Sequence, residues 1–316
     1  MFLSCGDALF DLFAAPRSEA GSIALHGRVG GSPLNVALGL ARLGAESAFL
    51  CKNSGDVFGR RLRQCLVANR VDTRWVVDTD RNTSLAVVET GADGVPSYAF
   101  YLDGSADVSL EESELPEKLD DAVRAIHFSS YSTVRQPVAG ALLALARREG
   151  TDRIISHDVN VRASVEPDLD VWREARQAFG EVAHLVKASD EDLAILAGRS
   201  SVDIEAFAAD ALALGASLVL VTRGDAGAHA FTADGQHVQV PAVTVGVVDT
   251  VGAGDSFQAA SLYWLAGKGA MQGGQLKLDG LDLGAMLTFA VNAAAITCSR
   301  EGADLPLLED IPVDPG

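Results

Sequence analysis

Basic residues are scarce in this 316-residue chain: 25 Lys and Arg stand against 43 Asp and Glu, for a formal charge of −18. Neutralising a nucleic-acid backbone needs clustered Lys and Arg, so no nucleic-acid partner is expected. No apolar run approaches the roughly 20 residues of a membrane span. Met1–Cys5 enters an apolar stretch without a basic leader or cleavage site, so the expected location is the cytoplasm. The four cysteines, Cys5, Cys51, Cys65 and Cys298, are far apart and form no C-x-x-C pair. They read as buried reduced thiols, not as a disulfide frame or zinc site. The six histidines include no H-E-x-x-H spacing, which leaves a His-held catalytic metal unsupported. Two common nucleotide motifs are also missing. Gly267-Lys268-Gly269 lacks the upstream Gly and the hydroxyl of a P-loop, and Gly252/Gly254 is followed by Phe257 where a dinucleotide fingerprint needs its third Gly.

What is present is an alternation. Apolar, strand-sized runs at Met1–Cys5, Ser47–Cys51, Ala125–Ser129, Arg153–His157, His184–Lys187 and Ser217–Thr222 are separated by helical patterns. The latter lie near Pro33–Leu43, Val57–Asn69, Val138–Arg148, Val171–Phe179, Glu191–Ala197 and Ile204–Leu214. Continuous apolar strands with helices between them predict an α/β fold, a doubly wound, mostly parallel sheet flanked by helices. No repeat or linker divides the chain. One stretch breaks the rhythm: Ser84–Thr90, the turn Gly91-Ala92-Asp93-Gly94, and Val95–Tyr101 read as a hairpin. With residues 12–28, it predicts a small β-sheet lid formed by about 12–28 and 84–104. A decorative edge hairpin is the competing reading.

The most informative segment is Asp249-Thr250-Val251-Gly252-Ala253-Gly254-Asp255-Ser256-Phe257, between an alternating strand at Val238–Val247 and a helix at Ser256–Leu265. Two glycines in a strand-to-helix turn let backbone N–H groups approach a ligand, and the helix N-terminus adds positive potential. A carboxylate there would repel phosphate. Asp255 makes sense if it accepts a proton from a hydroxyl attacking a phosphoryl group. Read alone, Asp255 equally suits a helix N-cap. Near the N-terminus, Gly30-Gly31-Ser32-Pro33-Leu34-Asn35 opens a second helix, with Ser32 as the expected N-cap and Gly44 as the stop. The Gly pair and Asn35 suit a site for an uncharged polyol.

These two segments, G-G-S-P-L-N-V-A-L-G-L-A-R-L-G (30–44) and D-T-V-G-A-G-D-S-F (249–257), resemble the paired signatures of the PfkB, or ribokinase-like, carbohydrate kinase family. G-D-V-F-G (55–59), D-V-N-V-R (158–162), K-A-S-D-E-D (187–192) and V-T-R-G-D-A-G-A (221–228) agree, so the likeness spans the chain. The resemblance implies a ribokinase-like fold and ATP-dependent transfer of the γ-phosphoryl group to a sugar hydroxyl. It implies Asp255 as base, with the N–H groups of Ala253, Gly254 and Asp255, behind Gly252, as the anion hole. Asp11, Gly30, Gly31 and Asn35 would hold sugar hydroxyls, with Arg162 near the phosphates or the sugar. Thr222, Gly224 and Gly227 would line the nucleotide, Asn292 would lie near the adenine, and Lys187 and Ser189 near the phosphates. It further implies Mg²⁺, approached through water by Asp192, and K⁺ near Asp249 and Thr250.

The family commonly has Asn and Glu where this chain has Ser189 and Asp192, a pair that equally fits a helix N-cap with first-turn acids. Ser97–Asp107 looks like the fructokinase version of the lid. Phe100 and Tyr101 are candidates to pack on a sugar ring, although cross-strand aromatic packing also accounts for either. Fructokinases often carry Arg where this chain has Leu102. With no cation at the lid tip after Tyr101, a neutral sugar is favoured, fructose first. The rivals are 2-keto-3-deoxygluconate kinase, ribokinase and nucleoside kinase, and, outside the enzymes, a silent sugar-binding protein that kept the fold. Exposed lid edges imply a homodimer.

Overall fold

The computed structural model describes residues 1–14, 21–90, 96–199 and 202–312. The expected Gly91–Gly94 turn and part of the 12–28 stretch lie outside them. In chain order the strands of the two larger sheets are β1 (Phe2–Cys5), β2 (Leu9–Ala14), β3 (Leu25–Gly30), β4 (Ser47–Ser54), β5 (Asp72–Thr79), β6 (Ser84–Thr90), β7 (Pro96–Tyr101), β8 (Ala125–Ser129), β9 (Ile154–Asp158), β10 (Leu185–Ser189), β11 (Leu218–Thr222), β12 (Ala228–Thr232) and β13 (His237–Val240). The helices are α1 (Ser32–Arg42), α2 (Val57–Ala68), α3 (Val138–Glu149), α4 (Leu169–Gly180), α5 (Asp190–Ala197), α6 (Ile204–Leu214), α7 (Ala253–Gly267) and α8 (Leu283–Cys298).

Nine strands form one sheet in the order β13-β12-β11-β10-β9-β8-β1-β4-β5, parallel except at β11/β12 and β12/β13. Strand β11 shows why the sheet is covered on both faces. Leu218 and Leu220 enter the core built with α1, α7 and α8, while Val219 and Val221 enter the core built with α3, α4 and α6. All four are fully buried, and each contributes roughly 1.5–3 kcal/mol of apolar transfer.

A second sheet has the order β3-β2-β6-β7, with β2 and β6 parallel at its centre and antiparallel pairs outside. It begins at Leu9, so Asp11 belongs to it, and the expected hairpin supplies two of its four strands.

The strand expected over Val238–Val247 stops at Val240. Pro241 has no N–H to continue the ladder, and residues 241–250 run on without strand pairing. Strands β5 and β12 and helix α8 were not among the expected elements. The polar Asp72, Arg74 and Asp78 in the edge strand β5, and the His in Ala228–Thr232, blur the apolar runs that mark the other strands.

Candidate active site

Strands β8, β9, β10 and β11 all end on one side of the main sheet, the side on which open α/β sheets bind ligands. A cleft of about 950 Å³ opens there, between these strand ends, the second sheet and the N-terminus of α7. Its wall includes Asp11, Gly31, Asn35, Phe100, Arg162, Lys187, Ser189, Asp192, Thr222, Gly224, Gly227, Thr250, Gly252, Ala253, Gly254 and Asp255. The two signature segments, more than 200 residues apart, therefore meet in one place.

Helix α7 is gripped between α1 and α8, with Phe257, Ala260, Leu262 and Leu265 buried. Gly39 lets α1 come close: a Cβ there would stand 2.8 Å from Ala259 Cβ. That approach brings the first turn of α1 against the first turn of α7. Asp255 Oδ1 accepts a hydrogen bond from Ser32 Oγ at 2.7 Å, and Oδ2 accepts one from Asn35 Nδ2 at 2.8 Å. The carboxylate does not cap its own helix; the N-cap is Gly252, at φ 80°. A side chain at 252 would be strained and would meet Ala303 Cβ at 2.7 Å.

The expected N-cap role of Ser32 is corrected too. Gly31, at φ 117°, is the N-cap of α1, and Ser32 is its first helical residue. Its hydroxyl goes to Asp255 instead.

The first intrahelical bond of α7 runs from Ser256 N–H to Gly252 O. Residues 253–255 therefore carry the orphan donors of the helix start. Ala253 N–H turns back to Thr250 O at 3.2 Å, leaving Gly254 and Asp255 as the donors with no turn bond. Beneath Gly254, Lys187 Nζ pairs with Asp158 Oδ2 at 2.7 Å, and both side chains are buried. Burial alone would pull the Lys187 ammonium down, but Asp158, Asp192 and Asp255 outweigh it and hold the pKa above its usual value. The fixed positive charge thus lies within one side chain of the helix N-terminus.

Burial pushes the Asp255 carboxyl up, and Ser32, Asn35, Lys187 and Arg162 oppose it. Asp11 is pushed to about 6 by burial, against Arg162, with Asp249 and Asp255 adding to the rise. Gly30 makes room for it, since a Cβ at 30 would stand 2.2 Å from Asp11 Oδ2. Asp7, which sequence reasoning missed, also lines the cleft; its Oδ2 accepts the Ser32 N–H at 3.1 Å, and its buried Oδ1 has no hydrogen-bond partner among the described residues.

Ser189 and Asp192 form a reciprocal capping box on α5, and Asp192 Oδ1 also accepts the Val161 N–H at 2.7 Å. Its carboxylate is thereby largely committed to protein donors. Asp249 is not in the wall; it ties two loops together by accepting the Val251 and Gly302 N–H groups at 3.0 and 2.9 Å. Asn292 stands off the cleft as well. Its amide donates to Thr288 O at 2.8 Å, while Val291, Ala294, Ala295 and Cys298 supply the wall from α8. Tyr101 is 63 % exposed and forms no part of the wall, in contrast to Phe100.

A mostly parallel sheet covered on both faces, a small second sheet beside the cleft and a buried carboxylate at a helix start are the arrangement of ribokinase-like small-molecule kinases. The chain belongs to the pfkB family of carbohydrate kinases, whose family model matches residues 4–310. It is 36 % identical over 263 residues to a fructokinase of Rhizobium leguminosarum bv. trifolii, an alignment covering 83 % of this chain and 78 % of that one. It superimposes on a Xylella fastidiosa fructokinase with bound ATP at a TM-score of 0.85 and 28 % identity, over 98 % of this chain and 94 % of that chain. A Vibrio cholerae O395 fructokinase, in a form with bound fructose, ADP and calcium ion, superimposes at 0.78 and 28 % identity, over 96 % of this chain and 94 % of that chain. The protein is an ATP-dependent sugar kinase.

Proposed function

We propose that this kinase phosphorylates fructose, with Asp255 as general base and the second sheet as a lid over the sugar. The observation that carries the mechanism is the buried Asp255 carboxylate, fixed by Ser32 and Asn35 beside the open N–H groups of Gly254 and Asp255. Asp255 takes the proton of the sugar hydroxyl while that oxygen attacks the γ-phosphorus. The bond to the β,γ-bridging oxygen breaks, and its electron pair leaves with ADP. The N–H groups and Lys187 oppose the charge on the transferring group. Asp11, Gly31, Asn35, Phe100 and Arg162 are assigned to the sugar, with Ser189, Thr222, Gly224 and Gly227 assigned to the nucleotide.

The cleft is rich in acids, Asp190, Glu191, Asp192 and Asp225 among them, and a triphosphate entering it needs counter-charge. Mg²⁺ fits this need as a partner of the phosphates, with Asp192 reaching it only through water. Asp249, which no basic side chain pairs with among the described residues, and Thr250 are assigned to K⁺, whose charge would support the adjacent helix start. Assembly through the lid into a homodimer, in the cytoplasm, completes the reading.

ADP release is to be measured over a panel of fructose, ribose, 2-keto-3-deoxygluconate and nucleosides. Fructose-dependent turnover that falls by at least about 10²-fold in Asp255→Asn is expected. Rapid turnover of a nucleoside, with none of fructose, overturns the substrate assignment.

A further inference from the structure

Ser32 Oγ is the meeting point of side chains from three other parts of the chain. It lies 2.7 Å from Asp255 Oδ1 on α7, 2.8 Å from Asn160 Nδ2 in the loop after β9, and 2.9 Å from Ser129 Oγ at the end of β8. A hydroxyl has one proton and two lone pairs. Ionised Asp255 can only accept and the Asn160 amide nitrogen can only donate, so Ser32 donates to Asp255 and accepts from Asn160. Its remaining lone pair faces Ser129, whose hydroxyl must then donate. Every site on the Ser32 oxygen is used, and in one direction only.

Other features hold this arrangement in place. Ser32 and Ser129 are both buried, and Asp7 Oδ2 fixes the Ser32 N–H. Asn160 sits at φ 39°, a left-handed conformation uncommon for a residue with a side chain, kept where its amide reaches Ser32. Donors feeding a hydroxyl strengthen its own donation, and donation to a carboxylate favours its ionised form.

We propose that Ser32 is a positioning residue for phosphoryl transfer, its hydroxyl set by Ser129 and Asn160 to hold Asp255 ionised and oriented toward the sugar hydroxyl. The inference rests on the assignment of Asp255 as the base. The charged groups facing Asp255 are Lys187 on β10 and Arg162 in the loop after β9, which favour the ionised form. Asp11 on β2 and Asp158 on β9 oppose it. Asn35 donates from the other side. Loss of the Ser32 donor removes one of the interactions that offset burial, so the base ionises at higher pH.

The test is kcat/KM for the sugar against pH, at saturating ATP, for wild type, Ser32→Ala, Ser129→Ala and Asp255→Asn. In Ser32→Ala the acid limb is expected to move up by about one pH unit, with an approximately tenfold loss at pH values below both limbs that recovers as pH rises above them. Ser129→Ala moves the limb the same way by less, and KM for ATP stays unchanged in both. A profile in Ser32→Ala lowered uniformly, with its limb unmoved, overturns the proposal while an inactive Asp255→Asn leaves the base assignment standing. Activity in Asp255→Asn within about tenfold of wild type would remove the base assignment itself and this inference with it.

Discussion

Lys187 and Asp158 are direct partners on the adjacent parallel strands β10 and β9, joined by a 2.7 Å ion pair closed to solvent. Removing one partner leaves the other charge buried, at a cost of about 3–5 kcal/mol. Lys187→Met is therefore expected to lower the denaturation midpoint strongly. Lys187→Met with Asp158→Leu should regain most of the stability by urea titration, yet stay deficient in sugar-dependent ADP release. Equal recovery of both properties would show that the pair serves stability alone.

Gly252 and Gly254 should respond differently to alanine. Gly252→Ala places a Cβ at positive φ and 2.9 Å from the Ala303 backbone, so a loss of about 1–3 kcal/mol is expected. Gly254 is helical, and a Cβ there meets the flexible end of Lys187, 3.2 Å from its ammonium. Gly254→Ala should keep its thermal midpoint, helped by helix propensity, while KM for ATP rises severalfold. Thermal melting and initial rates on the two variants decide the point.

The buried His127 and His157 predict acid sensitivity. His127 shares Nδ1 with Ser156 Oγ at 3.1 Å; among the described residues its Nε2 has no partner, and His157 has none at either nitrogen while stacking on Phe179. Burial holds both at about 3, against 6.5 for a free imidazole. Between these values the unfolded chain binds protons that the native state does not, so stability rises with pH across that window. His157→Phe, which keeps the stacking, should move the acid-unfolding midpoint to lower pH by circular dichroism.

Asp7 predicts the opposite slope at higher pH. Burial, with Asp107 nearby, pushes its carboxyl from 3.8 to about 8. Between those values the native state keeps a proton that the unfolded chain gives up, so this group's contribution falls as pH rises, by at most about 1.4 kcal/mol per pH unit. Asp7→Asn resembles the neutral acid. Its urea midpoint relative to wild type should improve between about pH 5 and pH 8, and an unchanged difference would mean that Asp7 is ionised throughout.

Local chemistry was legible in the sequence. Pro33 and Gly44 mark the two ends of α1, the Ser189–Asp192 spacing gives the capping box on α5, and the 249–257 turn opens α7. What escaped was set by contacts distant in sequence. Ser32 has the composition of an N-cap, and only the approach of α1 to α7 across Gly39 turns its hydroxyl to Asp255. The Asp158–Lys187 pair left a faint trace, since Asp158 directly follows one apolar strand run and Lys187 closes another, and the two strands become neighbours. Asp7 left none, because a polar residue after a strand reads as an ordinary turn. Asn292, expected near the adenine, donates its amide to Thr288 O, and its helix neighbours Val291, Ala294 and Ala295 line the cleft.

The second sheet is wired into the core at its own strand ends. Three residues, Asp7 among them, separate β1 from β2, and β3 ends at Gly30, directly before the Gly31–Asn35 turn. A displacement of that sheet pulls on the same short segments that grip Asp255. On the assignment proposed above, a sugar bound at Phe100 and Asp11 would have a mechanical route to Asp255 through these two connections.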